Sequence, residues 1–350
     1  MAILSPKQQP EIEGRLNIDD EQSIMSIRVG FLGIAHMHSW GYASGLLRTP
    51  QAKVIGVWGD DTERVKDFAL PHKIKAFDDR QELLDNVDAV VITSENAKHT
   101  ELVKIAATAG KHILCEKPIV TTEEDGLQVL QIVEKTGIKF MTAFPCRYSP
   151  TFISLMNHVK GGKIGDILAV CATNRGSCPF DWFVDVKQSG GGSMIDHVVH
   201  VADLLRVILN DEVKTVMAQV GHGMYRQAWE DIAMLTIEFK KGVVATLDSS
   251  WSRPKTYKTW GDVTMNLVGT GGTIEVDLFN QQFDVYSEGK KTHSVAGYGS
   301  DMDKALVRSF IECIEKDSAS PITAFDGLQA VRVALAGYES VRTGQPVSLA

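Results

Sequence analysis

Two residues four apart make the most direct chemical suggestion in this 350-residue chain: Asp196 and His200, in a run reading Ser-Gly-Gly-Gly-Ser-Met-Ile-Asp-His-Val-Val-His-Val-Ala-Asp over 189–203. On a helix that spacing puts both side chains on one face, about a turn apart. A carboxylate that orients an imidazole makes a general base near neutral pH. The same run also describes a helix N-terminus with a solvated polar face, and alone it leaves both readings open. His197 falls about 100° further round the helix, where it would shape a pocket rather than take the proton. Asp203 reads equally as a supporting or a packing residue.

A second candidate is Lys117, in Glu116-Lys117-Pro118 directly after the apolar run 112–115. If that run is a parallel strand, the lysine stands at the carboxyl edge of a sheet, where α/β proteins bind ligands. Pro118 favours an extended Lys117. A lysine in an ordinary exposed loop is the alternative.

The frame that would position these groups is an alternation of strands and helices. Short β-rich runs at 27–34, 54–58, 89–93, 112–115 and 139–144 are separated by helical patterns at 39–48, 62–69, 98–109 and 122–136. That order predicts a doubly wound parallel sheet, α/β in class. The first strand leads into Gly33-Ile-Ala35-His36-Met-His38. A dinucleotide fingerprint would place glycine at 33, 35 and 38, so only Gly33 keeps it, and a plain tight turn fits as well. About 26 residues beyond Gly33 come Gly59-Asp60-Asp61, where a carboxylate would hold ribose hydroxyls and favour NAD over NADP. Arg64 nearby keeps NADP open, and either aspartate could instead cap the following helix.

The second half changes character. Alternating runs at 167–175, 212–224, 232–240, 243–251, 263–268, 273–278 and 282–286, joined by Gly-rich turns, predict a large, mostly antiparallel open sheet of about six strands or more, an α+β arrangement. A helix is expected at 193–209, and closing helices at 302–316 and 328–343, the last packing back on the first domain. The expected divisions are a disordered extension at 1–25, a nucleotide-binding Rossmann domain at 26–145 and a substrate-binding and oligomerisation domain at 146–350.

A net charge of −8 argues against nucleic-acid or anionic-membrane partners. No run approaches the length of a membrane span, and residues 1–25 lack the apolar core of a secretory signal. Five cysteines without paired spacing suit free thiols in the cytoplasm.

At these residues the chain resembles the glucose–fructose oxidoreductase and inositol dehydrogenase (Gfo/Idh/MocA) family, from about residue 27 to 345. The matching segments, in order, are the turn at 30–38, Ser94-Glu-Asn96-Ala-Lys-His99, the run 109–118 ending in Glu116-Lys117-Pro118, Arg147-Tyr-Ser-Pro150 with Lys163-Ile-Gly165, Trp182-x-x-Asp185, and the glycines 190–192 followed by Asp196, His200 and Asp203. The departures are Ala35 and His38 for glycines, Gly59 where an acidic residue is usual, and Glu95 where proline is common.

The resemblance implies an NAD(P)-dependent oxidoreductase acting on a secondary alcohol or ketone of a sugar, cyclitol or related polyol, with NAD preferred. It implies catalytic Lys117, Asp196 and His200, with Asp196 orienting Lys117 or His200. Cofactor contacts would come from Gly33, Ala35, His36, His38, Asp60, Ser94, Asn96, Glu116 and Lys117, and substrate contacts from His197, Arg147 and Trp182. A homodimer or homotetramer through the second sheet is expected as well. Competing readings are a non-enzymatic NAD(P)-binding regulator and a cofactor-assisted eliminase or hydrolase on a sugar. Metal chemistry through His36, His38, His197 and His200 is a further alternative, but spacing assigns it no carboxylate ligand and no metal is expected.

Overall fold

The computed structural model describes residues 26–297 and 299–349; the extension expected at 1–25 lies outside them. The first half runs β1 (Ile27–Leu32), α1 (His38–Leu47), β2 (Ala52–Trp58), α2 (Thr62–His72), β3 (Lys75–Ala76), α3 (Arg80–Asp85), β4 (Ala89–Ile92), α4 (His99–Thr108), β5 (His112–Glu116), α5 (Glu123–Thr136) and β6 (Phe140–Ala143). Its six strands form one sheet in the order β3-β2-β1-β4-β5-β6, all parallel. β4 is buried at every position, as a strand covered on both faces must be. The expected elements are all present, with ends moved by up to three residues. α3 and the two-residue β3 were not foreseen. Side-chain caps set the helix starts: Asp61 accepts from the amides of Glu63 and Arg64, and Thr122 from that of Asp125.

The second half runs α6 (Pro150–Lys160), β7 (Ile167–Gly176), α7 (Val186–Ser189), α8 (Ser193–Leu209), β8 (Val213–Gly221), β9 (Ile232–Phe239), β10 (Val244–Ser250), β11 (Gly261–Gly269), β12 (Gly272–Asp277), β13 (Gln282–Ser287), β14 (Thr292–Gly297), α9 (Met302–Glu315), α10 (Ala324–Thr343) and β15 (Val347–Ser348). Seven strands form the sheet β12-β11-β7-β10-β9-β8-β15, antiparallel except for the β7–β10 pair. The run at 282–286, expected in that sheet, instead closes a separate hairpin with β14, its nearest partner along the chain. α10 begins four residues before the expected start, because Thr323 and Asp326 form a capping box.

α8 and α10 lie against one face of this sheet, and α10 also touches α5 and β6 of the first half. α8 is buried along almost its whole length yet carries Asp196, His197, His200, Asp203 and Arg206. Buried ionisable groups need partners or a function. α1 and α9 pack closely because two glycines permit it: a Cβ at Gly45 would lie 2.8 Å from Val307, and one at Gly41 would strike the Asp303 carboxylate. That contact brings the start of α9 to the mouth of the site.

Candidate active site

Strand order in the parallel sheet reverses between β1 and β4, and a ligand crevice forms at such a switch point. A cavity of about 230 Å³ opens there, lined by Gly33, Ala35, Trp58, Asp60, Arg64 and Ser94 among others. Gly33 has φ +82°, and a Cβ at this position would sit 2.6 Å from the Ser94 Cβ. Only glycine combines that backbone with so close an approach. The two aspartates divide the alternatives between them. Asp61 caps α2, while Asp60 lines the crevice and accepts from Lys98 Nζ at 2.7 Å. Lys98, which sequence reasoning passed over, is therefore the cation paired with Asp60. The first-half cradle thus fits a dinucleotide, with a carboxylate on the ribose side and bare backbone at the turn.

A second cavity, of about 460 Å³, lies between the two halves. Lys117 closes it from the end of β5, Asp196 and His200 from α8, and His36 and His38 from the glycine turn. Phe183, Trp260, Val263, Phe279 and Met302 supply apolar walls. Lys117 Nζ donates to Asp196 Oδ1 at 2.9 Å, joining the two halves through a nearly inaccessible ion pair.

Asp196 does not turn toward His200. Its Oδ2 accepts from the Trp251 indole at 3.1 Å and lies 3.2 Å from His197 Nε2. The expected pairing one helical turn along therefore gives way to a lysine, an indole and the adjacent histidine. Burial would raise the Asp196 pKa, but Lys117 and His197 outweigh it and hold the group well below its ordinary value. The His200 pKa is lowered too, but there burial, then the Lys117 charge, push it well below the usual histidine value and keep the ring neutral. Its Nδ1 is sealed without a hydrogen-bond partner among the described residues, whereas Nε2 is not sealed.

Several expected contacts are placed elsewhere. Arg147 does not reach the cavity: it grips Asp203 through two bonds of 2.7 and 2.5 Å and donates to the Pro321 carbonyl at 3.2 Å. A guanidinium committed to a buried carboxylate is unavailable to a substrate. His197 is fully buried behind Asp196, with Nδ1 donating to the Asn174 carbonyl at 2.9 Å. Trp182 donates its indole N–H to the Ala35 carbonyl at 3.1 Å and stacks on Phe183, which faces the cavity in its place.

Asn96 donates to the Ser189 carbonyl at 2.8 Å and is buried, fastening the α7 loop instead of lining the crevice. Glu116 is likewise sealed, accepting from the Tyr42 hydroxyl at 2.6 Å with His38 Nδ1 3.4 Å away. Burial would raise its pKa, but neighbouring basic groups, His38 and Lys117 among them, outweigh it and keep it ionised. The four-histidine metal set is not formed, since His197 is engaged with Asp196 and Asn174. Donor atoms of His36, His38 and Glu116 do come within 4.8 Å of one another.

Residues 27–144 match the family described as an oxidoreductase family with an NAD-binding Rossmann fold, and residues 152–275 match the GFO/IDH/MocA C-terminal domain. The chain is 28% identical to the uncharacterized oxidoreductase YrbE of Bacillus subtilis, over 92% of this chain and 95% of that protein. It is 25% identical to the scyllo-inositol 2-dehydrogenase (NAD(+)) of the same organism, over 92% and 96%. In structure it is similar to GenD2 from gentamicin A biosynthesis in complex with NAD, with a TM-score of 0.85, 21% identity and 99% of both chains covered. The structure of myo-inositol 2-dehydrogenase from Lactobacillus plantarum gives a TM-score of 0.80 at 17% identity, covering 93% of this chain and all of that one.

Proposed function

The chain belongs to the GFO/IDH/MocA family of oxidoreductases, and from that premise we propose that it interconverts a secondary alcohol and a ketone on a sugar, cyclitol or related polyol with NAD as cofactor. The observation that carries this reading is the Lys117–Asp196 pair at the wall of the inter-half cavity, with neutral His200 beside it. Bound NAD supplies the hydride acceptor.

In the alcohol-to-ketone direction, His200 takes the hydroxyl proton on Nε2, the ring nitrogen that is not sealed, since a neutral imidazole is a competent base. Lys117 hydrogen-bonds the same oxygen as negative charge develops there, and Asp196 holds the ammonium in place. The flat apolar surfaces of Trp260 and Phe183 suit the C–H faces of a sugar ring. Gly33, Ala35 and Ser94 would hold the pyrophosphate side of the cofactor and Asp60 the ribose. Asp60 supports NAD over NADP, while Lys98 and Arg64 at the same crevice would moderate that preference.

The open face of the seven-stranded sheet, which bears exposed Cys171, Met234, Thr246 and Asn266, is the surface we assign to a homodimer or homotetramer. The five free cysteines suit a cytoplasmic setting, and no helix among the described residues is long and apolar enough to cross a membrane. A panel of polyols and sugars, each with NAD and with NADP, tests the reading by formation of the reduced cofactor. Turnover with at least one polyol and NAD is expected. Failure of the protein to bind either nicotinamide cofactor would sink the assignment.

A further inference from the structure

His36 lines the inter-half cavity, and the proposed reaction leaves it without a task. It sits at the N-terminus of α1, boxed by the rings of His38 and Phe183 with centroids 4.5 and 5.1 Å away. Its Nδ1 accepts a hydrogen bond from the backbone N–H of His38 at 3.1 Å, in the manner of a helix cap. A backbone amide can only donate, so Nδ1 must present its lone pair and the proton of the neutral ring must be on Nε2. Nε2 has no hydrogen-bond partner among the described residues, and it is not among the sealed polar atoms. The residue lines the cavity that also holds Lys117 and His200.

From this arrangement we propose that His36 is a neutral hydrogen-bond donor to a substrate oxygen in the inter-half cavity, its Nε2–H fixed by the backbone of α1. The inference rests on the oxidoreductase reading for the identity of the acceptor, but not for the tautomer. Two effects keep the ring uncharged. Burial pushes its pKa down to about 3 against the pull of the Glu116 carboxylate, and the positive end of the α1 dipole adds to the cost of an imidazolium. A neutral donor can stabilise charge growing on an oxygen without giving up its proton, and so it divides the work with His200, which removes one. The same geometry speaks against a metal on His36, His38 and Glu116, despite their proximity. One nitrogen of His36 is taken by the cap and the other by the proton, and coordination needs a free lone pair.

The tautomer is read directly by nitrogen–proton correlation spectra of the full-length protein labelled with 15N-histidine at neutral pH. Protonated Nε2 with bare Nδ1 is expected for His36, assigned by its loss in His36→Gln. An imidazolium, an Nδ1–H tautomer, or a divalent metal retained at one per chain through dialysis and lost in the same variant would each overturn the proposal.

The role is read by kinetics on the substrate found in the polyol panel. His36→Phe keeps the ring and removes the donor, and should lower kcat/KM by about 10- to 100-fold, with NADH affinity and the acid limb of the pH profile unchanged. His36→Gln restores a donor and should recover most of that loss. A fall in NADH affinity alone, or a shifted acid limb, would show that His36 serves the cofactor or acts as the base and would refute the donor role. Absence of NADH binding by the unsubstituted protein would instead overturn the oxidoreductase reading while leaving the tautomer measurement in force.

Discussion

α8 carries two clusters of buried charge, and they differ in what they leave open. Near its start Asp196 meets Lys117, Trp251 and His197, while His200 lines an open cavity with an Nε2 that is neither sealed nor hydrogen-bonded among the described residues. Further along, Asp203 takes the two-pronged grip of Arg147, and Arg206 spans Glu212 at 2.6 Å and Asp326 at 3.1 Å. In the second cluster every charge is met by its opposite, and it ties α8 to α10 and to the loop after β6. The contrast separates chemistry from scaffolding on one helix: satisfied charges hold the fold, and an unsatisfied nitrogen facing a cavity is available to a substrate.

The comparison is broken most sharply by substitution at each end. Lys117→Ala and His200→Ala should each reduce turnover by about 10²- to 10⁴-fold, with NADH affinity by fluorescence titration kept within a few-fold. Full activity in both variants would strip the first cluster of its role. Arg147→Ala should do the reverse. It leaves Asp203 buried and uncompensated, a loss of about 3–5 kcal/mol of stability, visible as a lower denaturant midpoint, with kcat per folded molecule near that of the unsubstituted protein. Wild-type stability combined with lost turnover would put Arg147 in the site after all.

Smaller effects sharpen the same division. Gly33→Ala strains a φ of +82° and forces a Cβ against Ser94, so NADH affinity should fall by about tenfold, an effect of about 1–2 kcal/mol. Trp251→Phe deletes one bond to Asp196 and should cost several-fold in turnover, about 1 kcal/mol, with little change in cofactor affinity. The pH dependence follows from His200. Its folded pKa is below the ordinary value near 6.5, so kcat/KM for alcohol oxidation should hold steady as pH falls through 6.5 and decline only below it. An acid limb above 6.5 would contradict a desolvated base. Stability should move in the same direction. His200 and the buried His99 take up protons on unfolding below about pH 6.5, so the denaturant midpoint should drop as pH falls under that value.

How much of this could be read from sequence depended on the range of each contact. The alternation of strands and helices, the turn at Gly33 and the helix at 193–209 are local patterns, and they emerge within a few residues of expectation. The positions of Lys117, Asp196 and His200 around one cavity were legible through their motifs. Of the two partners expected for Asp196, Lys117 is the one it meets; the other partners were not legible, because they lie far along the chain: Asp196 finds Trp251, 55 residues away, and Arg147 finds Asp203, 56 residues away. Spacing of four on a helix made Asp196 and His200 look like a pair, yet packing turned the carboxylate to a lysine from the other half. Trp182 and Phe183 are neighbours, and which of them faces the cavity depends on a 3₁₀ turn that carries no periodic signature. Asp60 was the aspartate expected at the cofactor, with a helix cap open to either, and the start of α2 gives the cap to Asp61.

The central claim, that hydrogen passes to NAD in the cavity walled by Lys117 and His200, is tested most directly by a single turnover with a polyol deuterated at the reacting carbon. Unsubstituted protein should place deuterium on the nicotinamide ring. Lys117→Met should do so at least about 100-fold more slowly, with the same affinity for NADH. Transfer by Lys117→Met at the unsubstituted rate, or ketone formation with no label in the nicotinamide, would contradict the account.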